Sequence, residues 1–320
     1  MDIARSPLNK GGTLKNEIVI PPSPLMKQIG FGTGVSVYKL NRSPVCTQVR
    51  SPWAVKILKS KSETIKTRLR HEISVLKKLK HPNIVGFRAV GKDSQGEVCL
   101  ALETITCSLG DKIEARVDAG LLAYPPKNIA VVAYDIAKAL NYLHNVAYIL
   151  HCDVKSYNVL VQGDFEICKL CDFNIALPLD VNGKVNDRFI SEDIPLGTGP
   201  WMAPETALES VVSTKSDIYS YGLVLWEMIA LTVPPLPEET DSENLSSARD
   251  AFDISDLDST TLQCIDWRPE LPAQEFSEDY YGIMELFFCC TDKSPANRPT
   301  ASVVEKLSEE IFKVCLGHIS

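Results

Sequence analysis

A loop-rich stretch at 151–205 constrains the fold most strongly, because it concentrates polar and charged side chains between two long apolar segments. The flanking segments, 129–143 and 216–231, have apolar residues at helical spacing and predict two long helices. The stretch contains three short runs, namely His-Cys-Asp-Val-Lys-Ser-Tyr-Asn at 151–158, Cys-Asp-Phe-Asn at 171–174 and Ala-Pro-Glu at 203–205. The second half of the chain is therefore predicted to be a helical body that carries a reactive loop region.

The first part of the chain has a different character, with short strands and one helix. The stretch 28–40 alternates enough to predict a hairpin interrupted by glycines, and 53–57 predicts a compact strand. Between 64 and 80 the apolar residues that recur at helical spacing are Ile65, Leu69, Ile73, Leu76 and Leu79. Two further strands are predicted in 84–102. The sequence therefore predicts an α+β fold, with a small β-rich lobe followed by a larger α-helical lobe.

The glycine-rich turn at 29–37 is a candidate phosphate-binding loop, because glycine lets backbone N–H groups approach phosphates that side chains would block. Such hairpins are common, so the turn alone decides little. Lys56 strengthens the interpretation, since its apolar neighbours Val55 and Ile57 fit a surface lysine poorly. A buried cation is costly unless it is paired, and Glu72 on the next helix is the candidate partner.

Taken in order, these features resemble the eukaryotic protein-kinase family. The resemblance covers about 25–315 and implies the bilobal protein-kinase fold, with an N-lobe at about 25–102 and a C-lobe at about 106–315. Residues 1–24, rich in Pro, Ser, Lys and Gly, are expected to be a flexible segment. An acidic stretch at 238–258 is predicted to be a mobile insertion, either simply solvated or a docking surface for a basic partner.

The resemblance implies a chemical role for each matching polar residue in the loop region. Asp153 is expected to orient the substrate hydroxyl and accept its proton, and Lys155 to neutralise charge on the transferring phosphoryl group. Asn158 and Asp172 are the expected Mg²⁺ ligands, since hard cations favour oxygen donors. The implied cofactors are therefore ATP and Mg²⁺, and the implied substrates are proteins.

The nucleotide is expected to lie between the lobes. Lys56, held by Glu72, would meet the α- and β-phosphates of ATP, and Leu102 falls at the gatekeeper position before a hinge at 103–105 that would meet adenine. The other residues implied to bind the nucleotide are Ile29, Gly30, Phe31, Gly32, Thr33, Gly34, Val35, Ser36, Val37, Ala54, Glu103, Ile105 and Leu160. The residues with implied structural roles are Asp217, which would anchor the catalytic loop, and Glu205 and Arg298, which would form a salt bridge.

Two departures from the family pattern concern the loops that touch phosphate. Val35 replaces the third glycine of the glycine-rich turn, but Gly34 keeps a flexible point there, so ATP binding is expected to be retained. Cys152 replaces the arginine that grips a phosphate on the activation segment in the family. Between 172 and 197 the only Ser or Thr is Ser191, so phosphorylation of that segment is expected to matter less.

A third departure is Asn174, which replaces the glycine that follows Asp172 and Phe173 in the family. Asn tolerates φ > 0 better than most residues, so Asp172 is still expected to reach the metal. No departure removes a group that takes part in the chemistry, and activity is therefore expected. The main alternative is a pseudokinase scaffold that acts by protein–protein interaction without phosphate transfer.

The acceptor class follows from the same loops. Asp-x-Lys-x-x-Asn, with Gly197–Thr198 ahead of 203–205, resembles the pattern of kinases that act on Ser and Thr, although dual specificity stays open. A small-molecule kinase is disfavoured because that segment docks peptides in the family. Stretches that include 22–26, 83–89 and 163–166 resemble a subgroup related to the MAP-kinase kinases, which implies a role in mitosis and MAP-kinase signalling.

Composition narrows the setting of the protein. No apolar stretch reaches the roughly 20 residues that cross a bilayer, and 1–12 lacks the apolar region of a signal peptide. The ten cysteines fit no zinc pattern and are expected to be reduced thiols in the cytoplasm and/or nucleus. A net charge of −8 argues against nucleic acid as a partner. Ser6 is either a site for a proline-directed kinase or part of a turn, and the ending at 318–320 predicts no PDZ binding.

Overall fold

The computed structural model describes residues 18–19, 26–32, 34–42, 51–93, 95–185, 196–209, 211–235 and 268–317. The predicted features outside the described residues are Ser6, Thr33, Ser191, the ending at 318–320, the acidic insertion at 238–258 and the flexible segment at 1–24 apart from 18–19. The predicted division into a small β-rich lobe and a larger helical lobe is confirmed by the order of the elements.

The first lobe is built on a six-stranded sheet. In chain order its elements are β1 (Ile18–Val19), β2 (Met26–Gly32), β3 (Val35–Leu40), β4 (Trp53–Leu58), α1 (Glu63–Leu76), β5 (Phe87–Lys92) and β6 (Val98–Glu103). The strands lie in the order β1-β5-β6-β4-β3-β2, in which β1 is parallel to β5 and the other neighbours are antiparallel. Two residues of the segment predicted as flexible therefore pair with the sheet.

Helix α1 is amphipathic, and it ends four residues before the predicted boundary at 80. Its inner face buries Leu69, Ile73 and Leu76 in the main core, together with the polar residue Glu72. After Leu76 the backbone bonds tighten, since the N–H of residue 78 donates to the carbonyl of 75 and that of 79 to 76. This tightening from i−4 to i−3 bonding is a common way for a helix to end.

The turn between β2 and β3 requires glycine at one position. Gly34 has φ +72°, and a Cβ added there would overlap the end of the Ile65 side chain and lie 2.7 Å from Cβ of Ser60. Its carbonyl accepts hydrogen bonds from the N–H groups of Lys59 and Ser60 at 2.9 and 3.1 Å. Gly34 therefore brings the turn against the start of α1, where Val35 begins the returning strand.

The second lobe is mainly helical. Its elements are β7 (Cys107–Ser108), α2 (Leu109–Asp118), α3 (Pro126–Tyr142), β8 (Ile149–Leu150), β9 (Val159–Gln162), β10 (Ile167–Leu170), β11 (Leu177–Pro178), α4 (Pro204–Glu209), α5 (Thr214–Ala230), α6 (Tyr281–Cys290) and α7 (Ala301–Cys315). Strands β10, β9 and β7 form one small sheet, and β8 pairs with β11. Within the residues listed above as described, no helix is long and apolar enough to span a membrane.

Helices α3 and α5 form the centre of this lobe and are buried on most sides. Helix α3 packs against α7, and α5 against α6. One apolar core joins the lobes, because Leu76 of α1 and Phe173 belong to the same cluster as Leu140 and Leu225. The short strands and loops between α3 and α5 are therefore held on a rigid helical support, which faces the first lobe.

Candidate active site

Asp217, in the first turn of α5, fixes the backbone that precedes the candidate catalytic loop. Its Oδ2 accepts hydrogen bonds from the N–H of His151 at 2.9 Å and from Nε2 of His144 at 2.8 Å. Its Oδ1 accepts the N–H of Cys152 at 2.9 Å. A buried carboxylate is stable only when it is hydrogen-bonded in this way, and the bonds hold the chain in place just before Asp153.

Asp153 lies at the meeting point of three side chains. Its Oδ1 accepts a hydrogen bond from the hydroxyl of Thr198 at 2.6 Å. Its Oδ2 is 2.8 Å from the ammonium of Lys155 and 2.9 Å from the amide nitrogen of Asn158. The amide of Asn158 also donates to the Asp153 carbonyl at 2.7 Å. The loop therefore presents one carboxylate in a fixed orientation, with a cation and a hydroxyl beside it.

His151 holds this loop against the segment that carries Asp172. Its Nδ1 accepts the N–H of Asp153 at 3.2 Å, and its Nε2 donates to the carbonyl of Cys171 at 3.0 Å. Burial lowers the pKa of His151, which favours the neutral imidazole that this pair of bonds requires. The ring also meets the edge of Phe173, with centroids 4.8 Å apart.

Thr198 is a site residue that the sequence-based assignment of roles did not include. Lys155 donates to its hydroxyl oxygen at 2.6 Å, while the same hydroxyl donates to Asp153. Gly197 has φ +136°, and a Cβ there would lie 3.1 Å from the carbonyl of Cys152, so glycine lets the segment approach the loop. The available indication was the pair Gly197–Thr198, which the sequence analysis used only to infer the acceptor class.

Lys56 of β4 is held by two carboxylates. Its ammonium lies 2.7 Å from Oε1 of Glu72 and 3.0 Å from Oδ1 of Asp172. Burial disfavours the charged ammonium, but attraction to Asp172 and Glu72 outweighs it and raises the pKa of Lys56 well above its ordinary value. Burial also disfavours ionisation of Asp172, yet Lys56 holds the pKa of Asp172 below its ordinary value. The three groups thus form a charged triad between the lobes.

Backbone conformation near this triad differs from the family-based expectation at one point. Positive φ occurs at Asp172, with φ +65°, and at Cys152, with φ +67°, whereas Asn174 is absent from the positive-φ positions of the described chain. Asp172 therefore reaches Lys56 through its own left-handed conformation and does not depend on one at Asn174. The Cys152 side chain packs beside Leu150 in an apolar cluster, where burial raises the pKa of its thiol.

The donor atoms present fit Mg²⁺ held together with nucleotide phosphates. Asp172 supplies a carboxylate and Asn158 an amide oxygen, which are the hard oxygen donors that Mg²⁺ prefers. Because the amide nitrogen of Asn158 donates to Asp153, its oxygen is left as an acceptor. Among the described residues no cluster of three or more His, Cys, Asp or Glu could hold a metal ion by itself. A metal here would therefore need phosphate oxygens to complete its coordination.

One cavity of about 340 Å³ lies between the lobes, and Asn158 is not among its lining residues. Val35 and Val37 of β3 form its roof, and Lys56, Asp153 and Thr198 are among its polar lining residues. The cavity therefore brings together Glu72, Lys155 and Asp172 with them, as the motifs predict. Other lining residues are Ile65, Arg68, Leu69, Asn174, Ile175 and Gly197, of which the sequence analysis assigned none to the site.

Several residues predicted to bind the nucleotide lie beyond the lining of this cavity. Ala54 of β4 pairs with Leu102 of β6, and both lie where the sheet meets the hinge. Ile105 is buried just after β6, and Leu160 lies in β9 opposite Lys169. Among the described glycine-rich positions, the cavity lining does not include Ile29, Gly30, Gly34 and Ser36. The assignment of these residues to adenine and phosphate binding stays a prediction.

Glu103 of the predicted hinge uses its side chain to tie the lobes together. Its carboxylate accepts the N–H of Gly86 at 2.7 Å and lies 2.6 Å from the ammonium of Lys169. The guanidinium of Arg88 is 3.1 Å away. The carboxylate therefore serves a structural network, which the sequence did not reveal because its members are far apart along the chain.

A buried carboxylate supports the catalytic loop from below. Glu227 of α5 accepts hydrogen bonds from Ser156 at 2.7 Å and from the indole N–H of Trp201 at 3.0 Å. Burial raises the pKa of Glu227 to about 7, although both hydrogen bonds oppose the rise. The network joins the loop to the segment that follows Thr198, and it was not predicted from the sequence.

The predicted pair between Glu205 and Arg298 is present and buried. Nη1 and Nη2 of Arg298 lie 2.7 and 2.9 Å from the two carboxylate oxygens, which is a bidentate arrangement. Nε of Arg298 also donates to the carbonyl of Asp292 at 2.7 Å. The pair joins the start of α4 to the loop before α7 and so fixes the end of the reactive region.

Comparisons with known proteins agree with this geometry. The protein kinase domain family matches residues 24–309. Over 303 residues the chain is 40% identical to human lymphokine-activated killer T-cell-originated protein kinase, with 92% of each chain covered. It is 29% identical to a Drosophila melanogaster protein named as mitogen-activated protein kinase kinase kinase 7-like, covering 90% of this chain and 65% of that one. It is 28% identical to tyrosine-protein kinase SRK2 of Spongilla lacustris, covering 92% and 71%.

Proposed function

This chain belongs to the protein kinase family, and from that premise we propose that it transfers the γ-phosphate of Mg-ATP to Ser and Thr hydroxyls of protein substrates. The observation that carries the proposal is the contact between Asp153 and Thr198. There the carboxylate accepts an aliphatic hydroxyl at 2.6 Å with Lys155 alongside. That is the geometry which an acceptor hydroxyl needs at a general base.

The residues of the cavity divide the work of transfer between them. Asp153 orients the acceptor hydroxyl and accepts its proton as the oxygen attacks phosphorus. Lys155, 2.8 Å from that carboxylate, stabilises negative charge that spreads over the transferring phosphoryl oxygens. Mg²⁺, held by Asn158 and Asp172, would neutralise phosphate charge when bound.

Lys56 is the residue that holds the nucleotide phosphates in this proposal. Glu72 keeps the Lys56 ammonium pointing into the cavity, because the contact between the two side chains is 2.7 Å long and buried and partly compensates the ammonium charge. Asp172 also contacts Lys56, so phosphate oxygens would replace or share that contact. A charged group already positioned before the nucleotide arrives reduces the reorganisation that transfer requires.

Preference for Ser and Thr is the finer part of the proposal. Lys155 contacts both Asp153 and Thr198, and this arrangement supports an aliphatic acceptor. Both serine/threonine and tyrosine kinases occur among the relatives, so the acceptor class needs its own experiment. The scaffold alternative has no support from these groups, since each predicted catalytic side chain is present in one cavity.

The experiment is phosphoamino-acid analysis of a peptide mixture incubated with Mg-ATP. Three peptides that differ only in a central Ser, Thr or Tyr are presented at equal concentration. Phosphoserine and phosphothreonine are expected, and both should disappear in Asp153→Asn. Phosphotyrosine as the main product would refute the acceptor preference, and transfer that is unaffected by Asp153→Asn would refute the catalytic assignment.

The cellular setting is a proposal that rests on resemblance. We place the protein in MAP-kinase signalling and mitosis, in the cytoplasm and/or nucleus, because of its likeness to the kinases named above. Ser6, followed by Pro7, is proposed as a target of a proline-directed kinase. Phosphopeptide mapping from dividing cells should find Ser6 modified, and complete coverage without that phosphopeptide would contradict the idea.

A further inference from the structure

Arg68 of α1 is a cavity residue whose role phosphate transfer does not explain. Within the described part of the chain, the cationic residues that line the cavity are Lys56, Arg68 and Lys155. Lys56 is bonded to Glu72 and Asp172. Among the described residues no carboxylate contacts Arg68 in this way, although Arg68 lines the same cavity.

The charged groups around Asp153 in the same cavity already form ion pairs and hydrogen bonds with one another. Lys155 contacts Asp153 and Thr198, and the second oxygen of Asp153 is shared with Asn158. By contrast, Nε of Arg68 is buried and lacks a hydrogen-bond partner throughout the described ranges. Arg68 as a whole is half-buried, but a buried N–H donor without a hydrogen-bond partner is costly, so an anionic partner at this wall would be favoured.

Arg68 is displaced by one helical turn from Glu72, the residue that holds Lys56. It lies four residues before Glu72, about 6 Å along the helix toward its N-terminus. His71, three residues after Arg68 and on the same side of α1, donates through Nε2 to the carbonyl of Ala176 at 2.7 Å. Arg68 therefore faces the segment that follows Phe173, where Asn174 also lines the cavity.

We propose that Arg68 binds an acidic or phosphorylated side chain of the protein substrate and so selects acceptors that have an anionic residue nearby. The inference rests on the proposed kinase function. An acceptor hydroxyl must enter this cavity to reach Asp153, and neighbouring substrate residues must then pass its walls. The guanidinium of Arg68 offers planar paired donors that match a carboxylate or phosphate.

Equilibrium binding of labelled peptides tests this without requiring phosphate transfer. The peptides are Ala-based with one central Ser, and Asp or phosphoserine replaces Ala at each of four positions on either side. Matched peptides carry Asn or Ser there. Wild type is expected to bind the anionic peptide about tenfold more tightly than its match at one or two positions, as a charge-assisted hydrogen bond allows.

Three variants separate recognition from structure. Arg68→Met should bring the affinity for the anionic peptide down to that for its neutral match, and Arg68→Glu should favour a peptide with Lys at the same position. Arg70→Met is the matched control, since Arg70 is on the same helix but is exposed and does not line the cavity. It should keep the wild-type preference.

The inference is overturned if wild type shows no preference at any position. It is also overturned if Arg68→Met keeps the preference, or if it lowers the affinity for anionic and neutral peptides equally. Failure of the proposed function gives a different pattern. An Arg68-dependent preference without any phosphate transfer contradicts the kinase activity alone, whereas transfer without the preference contradicts the role of Arg68 alone.

Discussion

Replacement of Arg298 with Met is expected to destabilise the second lobe severely. The Arg298 side chain is fully buried, and its partner Glu205 is 11% exposed. Besides the bidentate contact, Arg298 donates to the carbonyls of Asp292 and Lys215 at 2.7 and 3.1 Å. It also donates to the carbonyl of Lys293 at 3.3 Å, so the substitution removes this donor from a nearly buried carboxylate and from three carbonyl groups.

The magnitude follows from that loss. Removal of one partner from a buried ion pair costs about 3–5 kcal/mol, because the remaining charge stays out of water without compensation. For a protein of 320 residues, an unfolding entropy of about 2.1 cal/mol/K per residue means that each kcal/mol lowers the Tm by roughly 1.5 °C. Arg298→Met is therefore expected to lower the Tm by about 4–8 °C, and the kinase activity should fall with the folded fraction.

Thermal unfolding followed by circular dichroism measures this effect, with chemical denaturation as a second assay. The double variant Arg298→Met/Glu205→Gln should recover part of the loss, since it removes the stranded charge. Lys313→Met, which breaks an exposed pair with Glu309, is the control and should leave the Tm unchanged. A Tm for Arg298→Met within about 2 °C of wild type, or a double variant no better than the single one, would refute the reasoning.

Three further predictions concern the site and its support. Thr198→Val removes the hydroxyl between Lys155 and Asp153 and should lower kcat/KM about ten- to a hundredfold, whereas Thr198→Ser should stay close to wild type; equal losses would contradict the role of the hydroxyl. The raised pKa of Glu227, about 7 against an ordinary 4.5, means that protonated Glu227 stabilises the fold fully below pH 4.5 and that this stability is lost as pH rises to about 7. Denaturation at pH 5 and 7.5 should show a smaller decline in the free energy of unfolding for Glu227→Gln than for wild type. Identical declines would contradict this role of Glu227. Gly34→Ala places a residue with a side chain at a left-handed position, at a cost of about 1–2 kcal/mol, and the added Cβ would overlap Ile65. The variant should therefore have a raised KM for ATP, and an unchanged KM would show that the turn adapts.

The sequence was sufficient for the fold and for the centre of the site because these depend on local pattern and on motif order. The pair of Lys56 and Glu72 could be predicted from the sequence, since Lys56 lies on an apolar strand and Glu72 on the next helix. Their 2.7 Å contact is present. The pair between Glu205 and Arg298, 93 residues apart, came from resemblance and not from spacing.

Other features needed coordinates because they arise from tertiary packing. The carboxylate of Glu103 meets Lys169, 66 residues later, and nothing in either local sequence marks that contact. The left-handed backbone at Asp172 is another example. Sequence identifies Asn174 as tolerant of positive φ, but contacts with Lys56 and the surrounding loops determine where the chain adopts it.

The measurement that tests the central claim most directly is transfer of γ-phosphate from Mg-ATP to a generic basic protein, with wild type compared with Asp153→Ala. Loss of positioning and general-base assistance should reduce the rate on the order of 10²–10⁴-fold. Wild type is expected to transfer phosphate and the variant to stay near background, with ATP binding retained in both. Equal rates for the two proteins, or a wild type that binds ATP and transfers nothing, would contradict it.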